Sequence, residues 1–282
     1  MDELLKQIFK KEAKVISPLV GGMMNKSFIV SSNNKKYVLY ISTEQANEMV
    51  DRELEKANQK LIIDLGLTSK NVYFDTKKGI KVNEYIEGSS LDKADCFDSK
   101  KVASLLKKMH ESGLLSKEDY HPFKRFMAYE IEAKTFQNDL GEDYKKLRKT
   151  LFDNKDFLEK QELVLCHNDA QKSNIVKDLN DHYYLIDFEF MGNNDPIYDI
   201  ATFGNGLVSE GYQLLMDYYK NPSLEEKRRY YLWRIFVSLQ WHNVAIVKHY
   251  RGEGKTHGFD FLAVANFFLN NALDAYKGYN SL

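Results

Sequence analysis

The stretch from Val164 to Glu189 constrains this chain more than any other. A short apolar run, Val164-Leu165-Cys166, leads directly into His167-Asn168-Asp169, and Asn174 follows. A second apolar run, Tyr183-Tyr184-Leu185-Ile186, ends at Asp187-Phe188-Glu189. Both runs read as short buried strands, and Asn174-Ile175-Val176 is placed to pair with the second of them as a hairpin. Asp169 and Asp187 therefore emerge from the ends of rigid elements, and Asn174 is brought to the same edge as Asp187. An isolated Asp in a loop reads as a turn or cap residue; three oxygen-bearing side chains at this spacing read as chemistry. Asn174 and Asp187 are hard oxygen ligands of the kind Mg²⁺ takes when it also holds phosphate oxygens. Asp169 is then left to orient and deprotonate a hydroxyl, the division of labour that phosphoryl transfer requires. His167 reads as a residue that holds the loop by hydrogen bonding.

Around this stretch the pattern changes at Gly88. Before it, residues 1–14 read as an amphipathic helix with Leu4, Leu5, Ile8 and Phe9 on one face. A turn-rich segment from Ser17 to Asn25 leads into β-rich runs at 27–30 and 36–41, joined by the hairpin signal Ser31-Ser32-Asn33-Asn34. Residues 44–65 read as one long helix, with Met49, Leu54, Ala57, Leu61 and Leu65 at helical spacing and Gly66 as its stop. Val72-Tyr73-Phe74 and Gly79-Ile80-Lys81-Val82 flank a turn, and Asn83 to Gly88 forms the last strand and a break. Beyond Gly88, helices are expected over 97–112, 123–138 and 142–160, and almost continuously from about 207. The expected class is α+β, with a small β-rich N-terminal part, a hinge and a larger, mainly helical C-terminal part.

Composition narrows the classes. The 282 residues carry 40 basic and 41 acidic side chains, a net charge of −1, which argues against a nucleic-acid partner. Hydrophobic residues make up 43%, enough to form a core and to exclude disorder as the main state. The 2 cysteines, Cys96 and Cys166, form no zinc-binding spacing and no disulfide framework. MDELLKQIFKKEAK does not read as a signal peptide, and no apolar run reaches the roughly 18 residues of a membrane span. A cytoplasmic protein with a small-molecule substrate is expected; the sequence specifies no oligomeric state.

With these residues in view, the chain resembles the aminoglycoside phosphotransferase and choline kinase superfamily. The resemblance lies in His167-Asn168-Asp169, Asn174, Asp187-Phe188-Glu189, Gly192, Asn194 and Asp199. Gly21-Gly22-Met23-Met24-Asn25-Lys26, Tyr37-Val38-Leu39, Tyr85-Ile86-Glu87-Gly88, Gln171 and Ile186 to Pro196 make it similar to the choline kinase branch, especially the bacterial LicA type. This implies a two-lobed protein-kinase-like fold. Residues 1–86 would be a small antiparallel nucleotide-binding lobe, and 87–282 a catalytic and substrate-binding lobe. ATP and Mg²⁺ are the implied cofactors. The resemblance implies that the Gly21–Ser27 turn, with Asn25 and Lys26, covers the phosphates and that the backbone at Glu84 to Ile86 meets adenine. Glu53 or Glu55 would support the phosphate side. Asp169 would be the base, and Asn174 and Asp187 the metal ligands with Glu189 assisting. His167 and Asp199 would brace the loop. Phe190, Tyr198 and Trp241 would face the acceptor's cation, and Trp233 is a further aromatic candidate.

Three positions depart from that pattern. Met24 replaces a Ser or Thr, Tyr40 replaces a strand Arg that reaches the phosphates, and Gly206 replaces a Glu near the ammonium. Tyr cannot replace a fixed positive charge, so a loosened hold on ATP is expected, with Lys26 a substitute for the cation and Glu210 for the acid. The expected reaction is phosphorylation of choline by ATP. The alternatives are ethanolamine, thiamine or another amino-alcohol as acceptor, or a catalytically weak binding protein on a kinase fold.

Overall fold

The structure, a computed structural model, describes residues 1–19, 25–254 and 258–282, apart from the side chain of Gln45. The chain divides into two compact units. The first comprises residues 1–97, 116–118 and 172–192, and the second 98–115, 119–171 and 193–282.

The first unit carries a five-stranded antiparallel sheet in the order β1-β2-β3-β5-β4, from β1 (Ala13–Leu19), β2 (Asn25–Ser32), β3 (Lys35–Ser42), β4 (Asn71–Asp75) and β5 (Ile80–Glu84). β2 and β3 are joined by Asn33-Asn34, both at positive φ (51° and 58°), the conformation a two-residue hairpin needs and Asn tolerates. Helix α1 (Asp2–Phe9) is shorter than the expected 1–14 and yields to β1. That strand admits Pro18 because it lies at the sheet edge, where one side needs no ladder donor. Leu5 of α1 packs on Val30, Leu39, Ile80 and Val82, and this is the apolar face of the sheet.

The long helix expected over 44–65 is two helices, α2 (Glu44–Met49) and α3 (Arg52–Asp64). Val50 is extended, and Asp51 restarts the helix by accepting the N–H groups of Glu53 and Leu54, each at 3.0 Å. The apolar stripe read from the sequence is not the face that α3 buries. Arg52, Glu55, Asn58, Gln59 and Ile62 are buried instead, and Asn58 and Gln59 bond Met191 O and Asn83 Oδ1, both at 2.9 Å. A second sheet holds β6 (Gly88–Ser90), β8 (Ile175–Asp178) and β9 (Tyr183–Leu185) in the order β6-β8-β9. Gly88 is needed there, since a Cβ at this position would stand 2.1 Å from Lys177 O. The pairing of Ile175 with Leu185 and the 3.0 Å bond from Ile186 N–H to Asn174 O confirm the hairpin expected from the sequence.

The second unit is mainly helical: α4 (Ser99–His110), α5 (Pro122–Phe136), α6 (Glu142–Asp153), α7 (Lys155–Glu159), α8 (Pro196–Phe203), α9 (Val208–Tyr219), α10 (Leu224–Tyr250) and α11 (Phe261–Asn280). The short strands β7 (Val164–Cys166) and β10 (Gly192–Asn194) pair with each other. Helix α10 starts with a capping box between Ser223 and Glu226 and packs against α5, α8 and α11. The α+β class expected from the sequence is therefore observed. No helix among the described residues is long and apolar enough to cross a membrane.

One buried ion network braces α5 against α6. Glu130 Oε1 accepts Arg148 Nε at 2.5 Å and Tyr144 Oη at 3.1 Å, with Lys134 Nζ at 3.2 Å. Burial alone would raise the Glu130 pKa, but Arg148 and Lys134 outweigh it and hold the carboxyl below its usual 4.5. A depressed carboxyl stabilises the fold above the unfolded pKa, and this contribution is lost as pH falls through the folded one. Glu130→Gln is therefore expected to lower stability by about 2 kcal/mol near neutral pH. That corresponds to about 4–8 °C in melting temperature. The gap to the parent should narrow only as pH falls below 4.5, and a gap that widens on acidification would contradict this assignment.

Candidate functional site

The site residues of the first unit gather on the polar face of α3. Ligand oxygens of Glu55, Asp187 and Glu189 lie within 4.8 Å of one another. Three acidic groups this close repel unless cations stand among them, and two do. Arg52 Nη1 donates to Glu55 Oε2 at 2.6 Å and to Glu189 Oε1 at 2.9 Å, while Lys81 Nζ donates to Glu55 Oε1 at 2.5 Å. Glu189 also accepts Asn25 Nδ2 at 2.6 Å, and Asn25 Oδ1 accepts Ser42 Oγ at 2.9 Å. Between the two helix carboxylates left open by the sequence, the structure selects Glu55. It is 2% exposed inside the network, whereas Glu53 points to solvent and bonds Thr76.

Asp187 differs from its two acidic neighbours. Its φ of +66° is left-handed, an uncommon backbone conformation for a residue other than glycine. Its Oδ1 is enclosed without a hydrogen bond, with Lys81 Nζ 3.8 Å away, while a third of the side chain remains open. Burial and then the charge of Glu189 push its pKa up to about 7. A bound cation would remove that penalty, so this donor set suits a divalent metal. Asn174 is buried next to it, its backbone oxygen bonded to the residue before Asp187.

Elsewhere in this unit, the N–H groups of Glu84 and Tyr85 are taken by Lys70 O at 2.8 Å and Lys36 O at 3.1 Å. The N–H of Ile86 has no such partner among the described residues. Lys26 is exposed and pairs in register with Ile41, on the opposite face from Tyr40. It does not fill the place of the missing strand Arg. The Gly21–Met24 part of the expected phosphate turn lies outside the described residues.

In the second unit, Asp169 follows β7 on a loop fastened by one buried carboxylate. Asp199 Oδ2 accepts His167 N–H at 2.8 Å, and its Oδ1 accepts Asn168 N–H at 2.6 Å. His110 Nε2 lies 2.9 Å from Oδ2. Asn168 is also left-handed, with φ +62°, and its Oδ1 accepts Asn194 Nδ2 at 2.8 Å. The N–H of Asp169 meets His167 Nδ1 at 3.3 Å, and Thr202 Oγ1 accepts Ala170 N–H at 3.1 Å. The buried His167 is thus a structural member of the loop, while the half-buried Asp169 accepts Gln171 Nε2 at 3.2 Å.

The sequence profile of choline/ethanolamine kinases matches residues 16–231. The chain belongs to the choline/ethanolamine kinase family. The protein LicA of Haemophilus influenzae is 28% identical over 220 residues, covering 72% of this chain and 62% of that protein. The chain thus matches less than two thirds of that relative's length. The solved choline kinase LicA from Streptococcus pneumoniae superposes with a TM-score of 0.76 at 26% identity, over 100% of this chain and 98% of that one. A structure of LicA in complex with AMP gives a TM-score of 0.73 at 26% identity, over 99% and 96% of the two chains.

In this choline/ethanolamine kinase family member the aromatic candidates fall into different settings. Trp233 is core: it is buried and donates Nε1–H to Asp195 Oδ2 at 2.8 Å. Tyr198 is buried against it, with ring centroids 5.1 Å apart, and also lies beside Tyr120. Trp241 is half-buried and stacked on Phe268, centroids 5.7 Å apart and planes within 16°. Phe190 is half-buried in the first unit. Glu210 lies in the first turn of α9. Sequence reasoning missed Arg52, Lys81, His110 and Thr202. The available signal for the first was Arg52, Glu55, Asn58 and Gln59 at helical spacing, a polar stripe.

Proposed function

We propose that this chain transfers the γ-phosphoryl group of ATP to the hydroxyl of choline, giving phosphocholine and ADP. The observation that carries this reading is the enclosed, unbonded carboxylate oxygen of Asp187 beside a buried cation–acid network, in a member of this family. Mg²⁺ held by Asn174 and Asp187, with Glu189 assisting, would neutralise charge on the transferring phosphoryl group. The choline oxygen forms a bond to the γ-phosphorus as the bond to the β–γ bridging oxygen breaks. The hydroxyl proton passes to Asp169, and ADP leaves. The loop that carries Asp169 needs no movement of Asp199, whose oxygens are already committed to it. Asn25 positions Glu189 on the phosphate side, and the unpartnered Ile86 N–H is the donor offered to adenine. The AMP complex of LicA supports an adenine nucleotide, and two free cysteines fit a reducing cytoplasm.

The acceptor's trimethylammonium group donates no strong hydrogen bond, so its selectivity comes from aromatic faces. Of the candidates, Phe190 and Trp241 are partly open and are the proposed faces, while Tyr198 is enclosed with Trp233. Trp241 is held flat by Phe268, so it meets a ligand without first being ordered. Without an acid at Gly206, a primary ammonium loses more than choline does, because its donors stay unpaired. ADP release over a panel of choline, ethanolamine, thiamine and other amino-alcohols tests the assignment, with choline expected to lead. Trp241→Ala is expected to raise the choline KM about 2- to 30-fold with little change in the ATP KM. Preference for ethanolamine, or an unchanged choline KM, would remove the acceptor assignment and leave the kinase reading standing.

A further inference from the structure

The chain has no cation at position 40, where its resemblance to kinases calls for one, yet it buries a lysine directly opposite. Tyr40 on β3 and Lys81 on β5 are register partners, so both side chains project from the same face of the sheet. Lys81 is 4% exposed, and its amine lies 4.9 Å from the centroid of the Tyr40 ring. Burying an ammonium is costly unless it is paired, and Glu55 supplies the pair at 2.5 Å. An ammonium has three donors. Glu55 takes one, and Asp187 Oδ1 at 3.8 Å is within ion-pair range but beyond a hydrogen bond. The amine thus stands between a helix carboxylate and the proposed metal ligand with donating capacity left over. Arg52, the other cation of the network, uses Nη1 for Glu55 and Glu189 and Nε for Asn47 Oδ1 at 3.1 Å, while its buried Nη2 has no partner among the described residues. It is Lys81, not Arg52, that stands opposite position 40 and within 3.8 Å of Asp187.

We propose that Lys81 is the phosphate-holding cation of this enzyme, carried one strand across the sheet from position 40 and fixed by Glu55, with the Tyr40 ring as its neutral neighbour. The inference rests on the kinase reading above and adds to it the residue that grips the nucleotide's phosphates. It also reverses the expectation drawn from the sequence, that ATP is held loosely and that Tyr40→Arg would tighten it. With Lys81 already in place, a guanidinium at position 40 would set two buried cations side by side.

Binding of Mg·ATP and of adenosine, measured by calorimetry on the full chain alongside melting temperatures, tests this without any acceptor. Lys81→Met is expected to weaken Mg·ATP about 10- to 150-fold, the range for losing a hydrogen bond to a charged group, with adenosine unchanged. The double variant Tyr40→Lys/Lys81→Met, which returns the charge to β3, is expected to recover part of that loss. If Lys81→Met fails to fold because the buried Glu55 Oε1 loses its partner, Lys81→Met/Glu55→Gln carries the same comparison. A folded variant that keeps Mg·ATP affinity within about twofold, or that loses ATP and adenosine equally, would overturn the role of Lys81. A parent protein that binds ATP no better than adenosine would overturn the kinase reading and, with it, this assignment.

Discussion

Asp187→Asn is expected to lower kcat by about 100-fold or more and to leave the protein folded. Charge stabilisation by a metal is worth several kcal/mol in phosphoryl transfer, and each 1.36 kcal/mol is a factor of ten. An amide at this position keeps the shape and removes the negative ligand. The same substitution separates function from stability. The Asp187 pKa is pushed up to about 7 from 3.8, by burial first and by Glu189 next. For a carboxyl raised on folding, the stabilising contribution is complete below 3.8 and is lost as pH rises through 7. Asn does not ionise and escapes that loss. Without Mg²⁺ at pH 8, Asp187→Asn should therefore melt no lower than the parent, while Mg²⁺ should raise the melting temperature of the parent alone. Near-normal turnover of the variant with Mg·ATP would contradict the metal assignment.

Asp169→Ala is expected to reduce kcat by about 100- to 10,000-fold, the span of a general base, with the ATP KM changed by no more than about threefold. The reason is geometric. The loop is held by Asp199, Thr202 and Asn194 through backbone and Asn168 contacts. Deleting the Asp169 side chain leaves those contacts in place while removing its bond from Gln171 Nε2. Steady-state and single-turnover kinetics with ATP and choline check this. Unchanged single-turnover chemistry combined with lost ATP binding would move Asp169 to another role.

The catalytic-loop residues and Asp187 were legible because their spacing is set by local geometry. A short strand, a tight loop and a hairpin leave few ways to place Asp169, Asn174 and Asp187. The hairpin register follows from the same cause, since Asn33-Asn34 and the apolar run at 183–186 act over a few residues. Helix α3 was read less well. Its apolar positions suggested one continuous helix with an apolar buried face, but the face that packs inward is polar and Asp51 interrupts the helix. Polar residues are buried there because they find partners distant in the chain: Glu189 for Arg52, Lys81 for Glu55, Met191 O for Asn58 and Asn83 for Gln59. Hydrophobic periodicity carries no information about such partners.

By itself the sequence determined the α+β class and the family resemblance, and it singled out Asp169 and Asp187 as the residues proposed for base and metal ligand. These rest on local periodicity and short-range spacing. Only the tertiary structure decided that Glu55 joins the acid cluster in place of Glu53, that Trp233 belongs to the core, and that a buried lysine, Lys81, stands opposite Tyr40. Each of these depends on pairing across the sheet or between elements far apart in the chain. A strand's register, not its own residues, determines which side chain on the neighbouring strand stands opposite it.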